Sequence, residues 1–401
     1  MDTLISLAAL LVFGYGLFSG RLSKTVISGP MLFVLAGVLA GPLGFDLFDP
    51  GLESEMVKVV AEVTLMVILF TDASTLKLGA LKREYKVPLR LLAFGLPLTM
   101  MLGFALAVPM FPGVSLWLVA AMAFILSPTD AALGQAVVSS DQVPDEVRDT
   151  IEVESGLNDG IALPAVMACM AVIAAEADAE ADVWQWVVFA AKQIGLGPVV
   201  GAAVGLVGGR LMDRAVQRDW MKPVFQRLAS ISLAVISYAL AEEVGGNGFI
   251  AAFFGGLMLG TQTERVRERL QEFGEAEGQL LSLSVFLIFG MVLVPKLSDH
   301  WDMMALLYAL LSLTVIRMLP VALCLMGTKM DRVTVAFIGW FGPRGIASVL
   351  YLLIFLTEVG GEGSERMLSV IVLTVLLSVL LHGVTAVPFS RWYGAYLEKK
   401  G

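Results

Sequence analysis

One stretch of this chain gathers an unusual set of oxygen-bearing side chains: Glu152-Val153-Glu154-Ser155-Gly156-Leu157-Asn158-Asp159-Gly160. Glu154 and Asn158 are four residues apart, as are Ser155 and Asp159, so on a helix the two pairs occupy neighbouring stripes of one face. Carboxylates, hydroxyls, amides and backbone carbonyls are the ligands of hard cations. Asn158 adds weight, because the chain holds only two asparagines, Asn158 and Asn247. Three further places carry charge inside apolar sequence: Ser127-Pro128-Thr129-Asp130, Arg317, and Gly342-Pro343-Arg344-Gly345. Zinc chemistry and a Ser-His-Asp triad are close to excluded, with two histidines (His300, His382) and two cysteines (Cys169, Cys324) in the whole chain. The cysteines sit in apolar runs and suggest neither a disulfide framework nor a metal site.

The elements that hold these residues are membrane helices. Of 401 residues, 57% are hydrophobic and only 16% charged, where soluble domains run near 25% charged. A helix crossing ~30 Å of hydrocarbon needs about 20 mostly apolar residues. That rule predicts about thirteen spans, near residues 2–20, 27–45, 55–72, 88–110, 113–138, 148–173, 184–210, 223–243, 247–262, 276–296, 302–326, 332–357 and 367–390. The expected fold is therefore an all-α polytopic membrane protein. With the N-terminus outside, 21 of the 27 Lys and Arg fall in cytoplasmic segments and two, Lys296 and Arg366, in outer loops. This bias follows the positive-inside rule and predicts a cytoplasmic C-terminus. The net charge of −9 does not suit a nucleic-acid partner. With nothing soluble after the last span, regulation is expected through loops or partners.

Spans 1–6 and 8–13 form two six-helix halves around span 7, and the odd offset inverts one half relative to the other, a common transporter plan. Spans 5 and 12 are partners in this plan, and both are interrupted, at Ser127–Asp130 and at Gly342–Gly345. Paired broken helices point to a midplane binding site. An ionisable residue at that depth costs at least ~2.5–3.5 kcal/mol to insert, which makes it functional by default. Counting from Arg148 at about 1.5 Å per residue, Asp159 lies ~16 Å deep and Glu154 ~9 Å deep, and Arg317 lies ~13 Å in from the end of span 11. Glu154 and Arg317 are thus placed to form a buried pair that locks spans 6 and 11. Asp130 can compensate the positive half-helix ends at the breaks and Arg344 the negative ones. By elimination, Asp159 is the ion-binding group.

These motifs, in this order and spacing over essentially the whole chain, resemble the monovalent cation/proton antiporter superfamily, in particular its NhaP and sodium/proton exchanger branch. The resemblance implies a secondary transporter, not an enzyme, with no cofactor, that exchanges Na⁺ or Li⁺ for H⁺ in an inner or plasma membrane, serving pH homeostasis and sodium tolerance. It implies a homodimer in the lipid bilayer, with a dimerisation scaffold at 1–72 and 223–296, a mobile ion-transporting core at 88–173 and 302–390, and a linker helix at 184–210. Elevator-type movement of the core then exposes the site to alternate sides. Asp159 matches the family's ion and proton carrier. Asp130, Ser155 and the Thr129 carbonyl match its cation ligands, and Glu154 and Arg317 its structural pair, with Asn158 beside them. Asn rather than Asp before the carrier implies electroneutral one-for-one exchange, in which Asp159 holds either Na⁺ or H⁺.

Three rivals stand beside this expectation. The first is a K⁺/H⁺ antiporter of the same fold. The second, from another class, is an intramembrane hydrolase using Asp130 and Asp159 as a dyad, against which the missing Gly-x-Gly-Asp signature counts. The third is a scaffold subunit whose buried charges are relics, and abolition of transport by Asp159→Asn would count against it.

Overall fold

Helix starts are written in the sequence as capping residues. Ser28, Ser115, Asp302 and Asp331 each accept a backbone N–H from the first turn of the helix that follows, at 3.4, 3.3, 2.7 and 2.8 Å, satisfying a donor that has no intrahelical partner. Proline sets the ends: the second helix stops at Ala40, ahead of Gly41-Pro42, and Pro223 opens another at its first position. This computed structural model describes residues 2–22, 25–47, 55–75, 86–130, 133–177, 183–262, 277–361 and 363–400. Among them the regular structure is helical throughout: α1 (Asp2–Leu22), α2 (Gly29–Ala40), α3 (Glu55–Thr75), α4 (Lys86–Met110), α5 (Leu116–Ile125), α6 (Gln135–Val138), α7 (Asp145–Ala177), α8 (Val183–Gln217), α9 (Pro223–Glu243), α10 (Gly248–Gln262), α11 (Glu277–His300), α12 (Met303–Leu325), α13 (Arg332–Trp340), α14 (Ile346–Glu358) and α15 (Glu365–Glu398).

Each expected span overlaps helix, and among the described residues seven helices are long and apolar enough to cross a membrane by length and composition. Five more apolar helices are shorter. The differences are at the edges of some helices and inside two of the spans. α7, α8 and α15 run beyond the apolar stretches that predicted them (148–173, 184–210 and 367–390), because helical backbone continues where hydropathy has already fallen. The fifth expected span shrinks to α5 and the single turn of α6, since the Pro128 ring and the chain around it interrupt the ladder. The twelfth divides cleanly into α13 and α14.

Two compact units result, Met1–Val60 with Val87–Asn158 and Leu280–Gly401, and Ala61–Lys86 with Asp159–Gln279. In the first, α2 lies against a π turn of α11 at Phe289–Leu293 so closely that a Cβ on Gly37 would overlap the Leu287 carbonyl. α12 bends at Thr314 (φ −116°, ψ −91°), and its second half packs on a π turn of α4 at Leu91–Gly95. A core of Leu91, Val147, Ile151, Val321, Phe337, Phe341 and Tyr393 joins α4, α7, α12, α13 and α15. In the second unit α8 and α10 are pressed together along Gly197, Gly201 and Gly205, which face the carbonyls of Asn247, Ala251 and Gly255. Small residues at a spacing of four permit that approach. Asn247, the second asparagine, caps α10 by accepting from Ile250 N at 3.0 Å.

Candidate functional site

The site grows out of the two breaks, both in the first unit. Proline disfavours helical backbone in the residue before it and cannot donate its own N–H, so Leu126–Asp130 and Phe341–Gly345 leave helix with polar groups exposed to each other. They satisfy one another. Asp130 N donates to the Pro343 carbonyl at 2.9 Å, and Ile346 N, the first amide of α14, donates to Asp130 Oδ2 at 2.8 Å. A carboxylate at a helix N-terminus meets the positive end of the dipole. Arg344, wholly buried, reaches the other way: Nη1 donates to the carbonyls of Ser127 and, at 3.1 Å, Pro128. Its Nη2 lies 3.5 Å from the Ser312 carbonyl of α12. Ser348 Oγ donates to the Ile125 carbonyl at 2.7 Å, covering the last residue of α5. The glycines flanking Pro343-Arg344 are there for room. A Cβ on Gly345 would overlap the Asp130 carboxylate, and one on Gly342 the Arg317 guanidinium.

α7 presents its polar stripes to this crossing. Glu154 and Arg317, each 2% exposed, form a bidentate pair with both N···O distances at 2.6 Å. Planar guanidinium and carboxylate match in that fork, which gives the contact direction as well as energy. One turn along, Asn158 Nδ2 donates to Thr129 Oγ1 at 2.6 Å, and Thr129 Oγ1 lies 3.0 Å from Ser155 Oγ. Three neutral oxygen-bearing side chains thus meet in the first unit. Asn158 Oδ1, fully buried, receives no hydrogen bond among the described residues. A buried amide carbonyl in that condition costs free energy unless a donor or cation reaches it.

Asp159 is the next residue of α7, four on from Ser155, and is 7% exposed. It opens the second unit's part of the helix, where Gly160 lies so close to Phe253 of α10 that a Cβ would collide with the ring. Among the described residues the buried carboxylates are Asp130, Glu154 and Asp159. Asp130 serves a helix end and Glu154 an ion pair.

Several contributors lie outside the residues that charge and spacing single out. Ser312, Ser348 and Ser378 all bond to the breaks, and His382, used above only to exclude zinc and triad chemistry, lies beside them. A signal existed: Ser378 and His382 are polar residues at helical spacing inside an apolar run. Ser312 acts through its backbone carbonyl, which no side-chain pattern could reveal.

With that geometry established, comparison with known proteins gives a consistent result. A K⁺/H⁺ antiporter NhaP2 from Shewanella sp. (strain ANA-3) is 27% identical over 382 residues, covering 93% of this chain and 63% of the relative. A Na⁺/H⁺ antiporter ApNhaP from Aphanothece halophytica is 26% identical, covering 88% of this chain and 68% of its own length. The chain therefore spans about two thirds of the length of such curated relatives. The solved sodium proton antiporter MjNhaP1 from Methanocaldococcus jannaschii shares the fold, with a TM-score of 0.77 over 98% of both chains at 19% identity. The transmembrane sodium/hydrogen exchanger family matches residues 7–392. The chain is an integral membrane protein that belongs to the sodium/hydrogen exchanger family.

Proposed function

We propose that this protein exchanges a monovalent cation, Na⁺ or Li⁺, for protons across the membrane, with Asp159 as the group that carries one or the other. The observation that carries the reading is the buried oxygen cluster of Thr129, Ser155 and Asn158, with its unbonded amide carbonyl, on the stretch of α7 that runs directly into a buried aspartate. Oxygen donors of this kind suit a hard monovalent cation. Asp130 and the Thr129 carbonyl complete the proposed ligand set, and the Glu154–Arg317 pair serves as the structural lock. A single exchangeable carboxylate makes transport one-for-one and indifferent to membrane voltage. The working assembly is a homodimer with thirteen spans in inverted repeats, its N-terminus outside and C-terminus in the cytoplasm. Residues 88–173 and 302–390 move as an elevator core against a scaffold of 1–72 and 223–296, with 184–210 as the linking helix.

Potassium as cargo is a second reading, favoured by the K⁺/H⁺ name of the Shewanella relative. One experiment decides between them and tests the whole: proton flux in proteoliposomes, offered LiCl, NaCl and KCl in turn. Competition at Asp159 sets a quantitative demand. Where the carboxylate is mostly protonated, each unit fall in pH raises the apparent KM for the cation about tenfold, since the free-site fraction falls as the proton concentration rises. A KM independent of pH across the active range removes competition at Asp159.

A further inference from the structure

Ser378 and His382 lie four residues apart on α15, share one face of that helix, and are both fully buried. Their contacts go to the break between α13 and α14. Arg344 N donates to Ser378 Oγ at 2.7 Å. Ser378 Oγ is 3.1 Å from His382 Nδ1, and His382 Nε2 is 3.0 Å from the carbonyl of Trp340, the last residue of α13. Trp340 is held a second time from α15: its indole N–H donates to Thr385 Oγ1 at 3.0 Å, and its ring lies 5.0 Å from the imidazole.

Proton positions follow from what each atom can do. A carbonyl only accepts, so Nε2 carries the hydrogen that faces Trp340. Ser378 Oγ already accepts from the Arg344 amide and has its own proton to donate, and Nδ1 of an Nε2–H imidazole is an acceptor within reach. The series from Arg344 N–H through Ser378 and His382 to the Trp340 carbonyl then closes with every donor used and no charge added. The doubly protonated ring would turn Nδ1–H to the Ser378 carbonyl at 3.0 Å and release the hydroxyl. It would also add a third cation to the field of Arg344 and Arg317, while Glu154 is already held by Arg317.

We propose that His382, acting with Ser378, is a positioning residue: a neutral Nε2–H imidazole that ties both lips of the α13–α14 break to α15. Trp340 stands at one lip and Arg344 at the other. Fixing them sets where the Pro343 carbonyl and the Arg344 guanidinium meet Asp130, Ser127 and Pro128 of the opposing break. His382 touches no cargo; it places the groups that hold the crossing. Its effect on transport rests on the exchanger reading above, while its protonation state does not.

The test separates the two. His300 and His382 are the only histidines, so the full chain labelled with ¹⁵N-histidine gives two imidazoles, and His300→Gln assigns the remaining one. The expected spectrum shows His382 as a single Nε2–H tautomer that does not titrate between about pH 5 and about pH 9. Ser378→Ala moves the Nδ1 resonance and raises the apparent cation KM about 3- to 10-fold, the worth of one buried hydrogen bond, with a smaller change in maximal rate. Ser378→Thr, which keeps the hydroxyl, restores both. A protonated Nδ1, a titrating ring, an Nδ1 signal blind to Ser378→Ala, or Thr behaving as Ala overturns the proposal. If Ser378→Ala does not fold, the wild-type tautomer and His382→Gln, which keeps an N–H for Trp340 and should retain exchange better than His382→Ala, decide instead. Wild-type protein with the stated tautomer but no exchange of any cation refutes the exchanger reading and leaves the brace standing.

Discussion

Two regions of this protein bring backbones unusually close, and they do so by opposite means. Where α8 meets α10, side chains have been removed: Gly197, Gly201 and Gly205 let one helix rest on the carbonyls of the other, and both run on as continuous helices, α8 even through Pro198. Where the α5–α6 break meets the α13–α14 break, the ladders themselves are interrupted, and the loose polar groups are matched by Asp130, Arg344, Ser348 and Ser378. The first contact is apolar and geometric, and its energy is packing. The second is electrostatic, and each member depends on the next. A packed glycine contact can hold helices rigid but has nothing to offer an ion. An interrupted helix presents oxygens and charges at membrane depth, at the cost of having to satisfy all of them.

That contrast can be broken at several points. The largest effect is expected from Asp159→Asn, which should abolish proton-coupled cation flux in proteoliposomes while the protein still purifies as folded material. Residual exchange would move the carrier role to Asp130. Next is the lock beside the crossing. Glu154→Ala, or Arg317→Ala, strands a buried charge and should cost ~3–5 kcal/mol in thermal or denaturant unfolding, and the double variant should cost less than the two singles summed. Full stability with an altered cation KM would instead make Glu154 a ligand.

The glycine contact should respond in the reverse sense. Gly201→Leu drives a side chain into the Ala251 backbone and should destabilise by ~1–3 kcal/mol, leaving the cation KM of the surviving protein unchanged. A shifted KM with unchanged stability would show that the α8–α10 contact belongs to the transport machinery. The smallest effect lies at the membrane edge. Lys400 Nζ, 2.7 Å away, and then the amides of Thr334 and Val333 hold the Asp331 carboxyl down to about 2. A depressed carboxylate adds stability that is present above its unfolded value, ~3.9, and that is lost as pH falls from about 4 through about 2. Asp331→Asn keeps a capping oxygen but loses the ion pair. It should cost less than ~1 kcal/mol, shrink further with salt, and flatten that acid slope. An equal loss at high salt would assign the effect to the cap.

Much of the candidate site could be read from residue types. Glu154, Ser155, Asn158 and Asp159 announce themselves because charge and amide groups in an apolar run have no neutral explanation, and their spacing places them on one helix. The two breaks are legible from the company their prolines keep: Pro164, Pro198 and Pro388 lie inside continuous helices, whereas Pro128 and Pro343 sit beside an ionisable residue in an apolar run, Asp130 and Arg344. Partnership was harder. Nothing in spacing says that Thr129 Oγ1 would join Asn158 to Ser155, or that the Ser312 carbonyl would meet Arg344, because those contacts join segments 26 to 32 residues apart through the fold.

By itself the sequence determined that this chain is helical and membrane-embedded, where its helices are interrupted, and which few side chains carry charge at depth. Those properties follow from hydropathy, from proline's missing donor and from the cost of burying an ion, and each acts locally. The tertiary structure alone decided how the obligations at the breaks are discharged. Asp130 is engaged by the amide of Ile346, and the room for that contact exists because residue 345 has no side chain. Arg344 caps carbonyls more than two hundred residues earlier, and a serine and a histidine of α15 hold the backbone on which it sits. Hydrogen bonds are short-ranged and directional, so their partners are settled only once packing has brought distant segments within about 3 Å of one another.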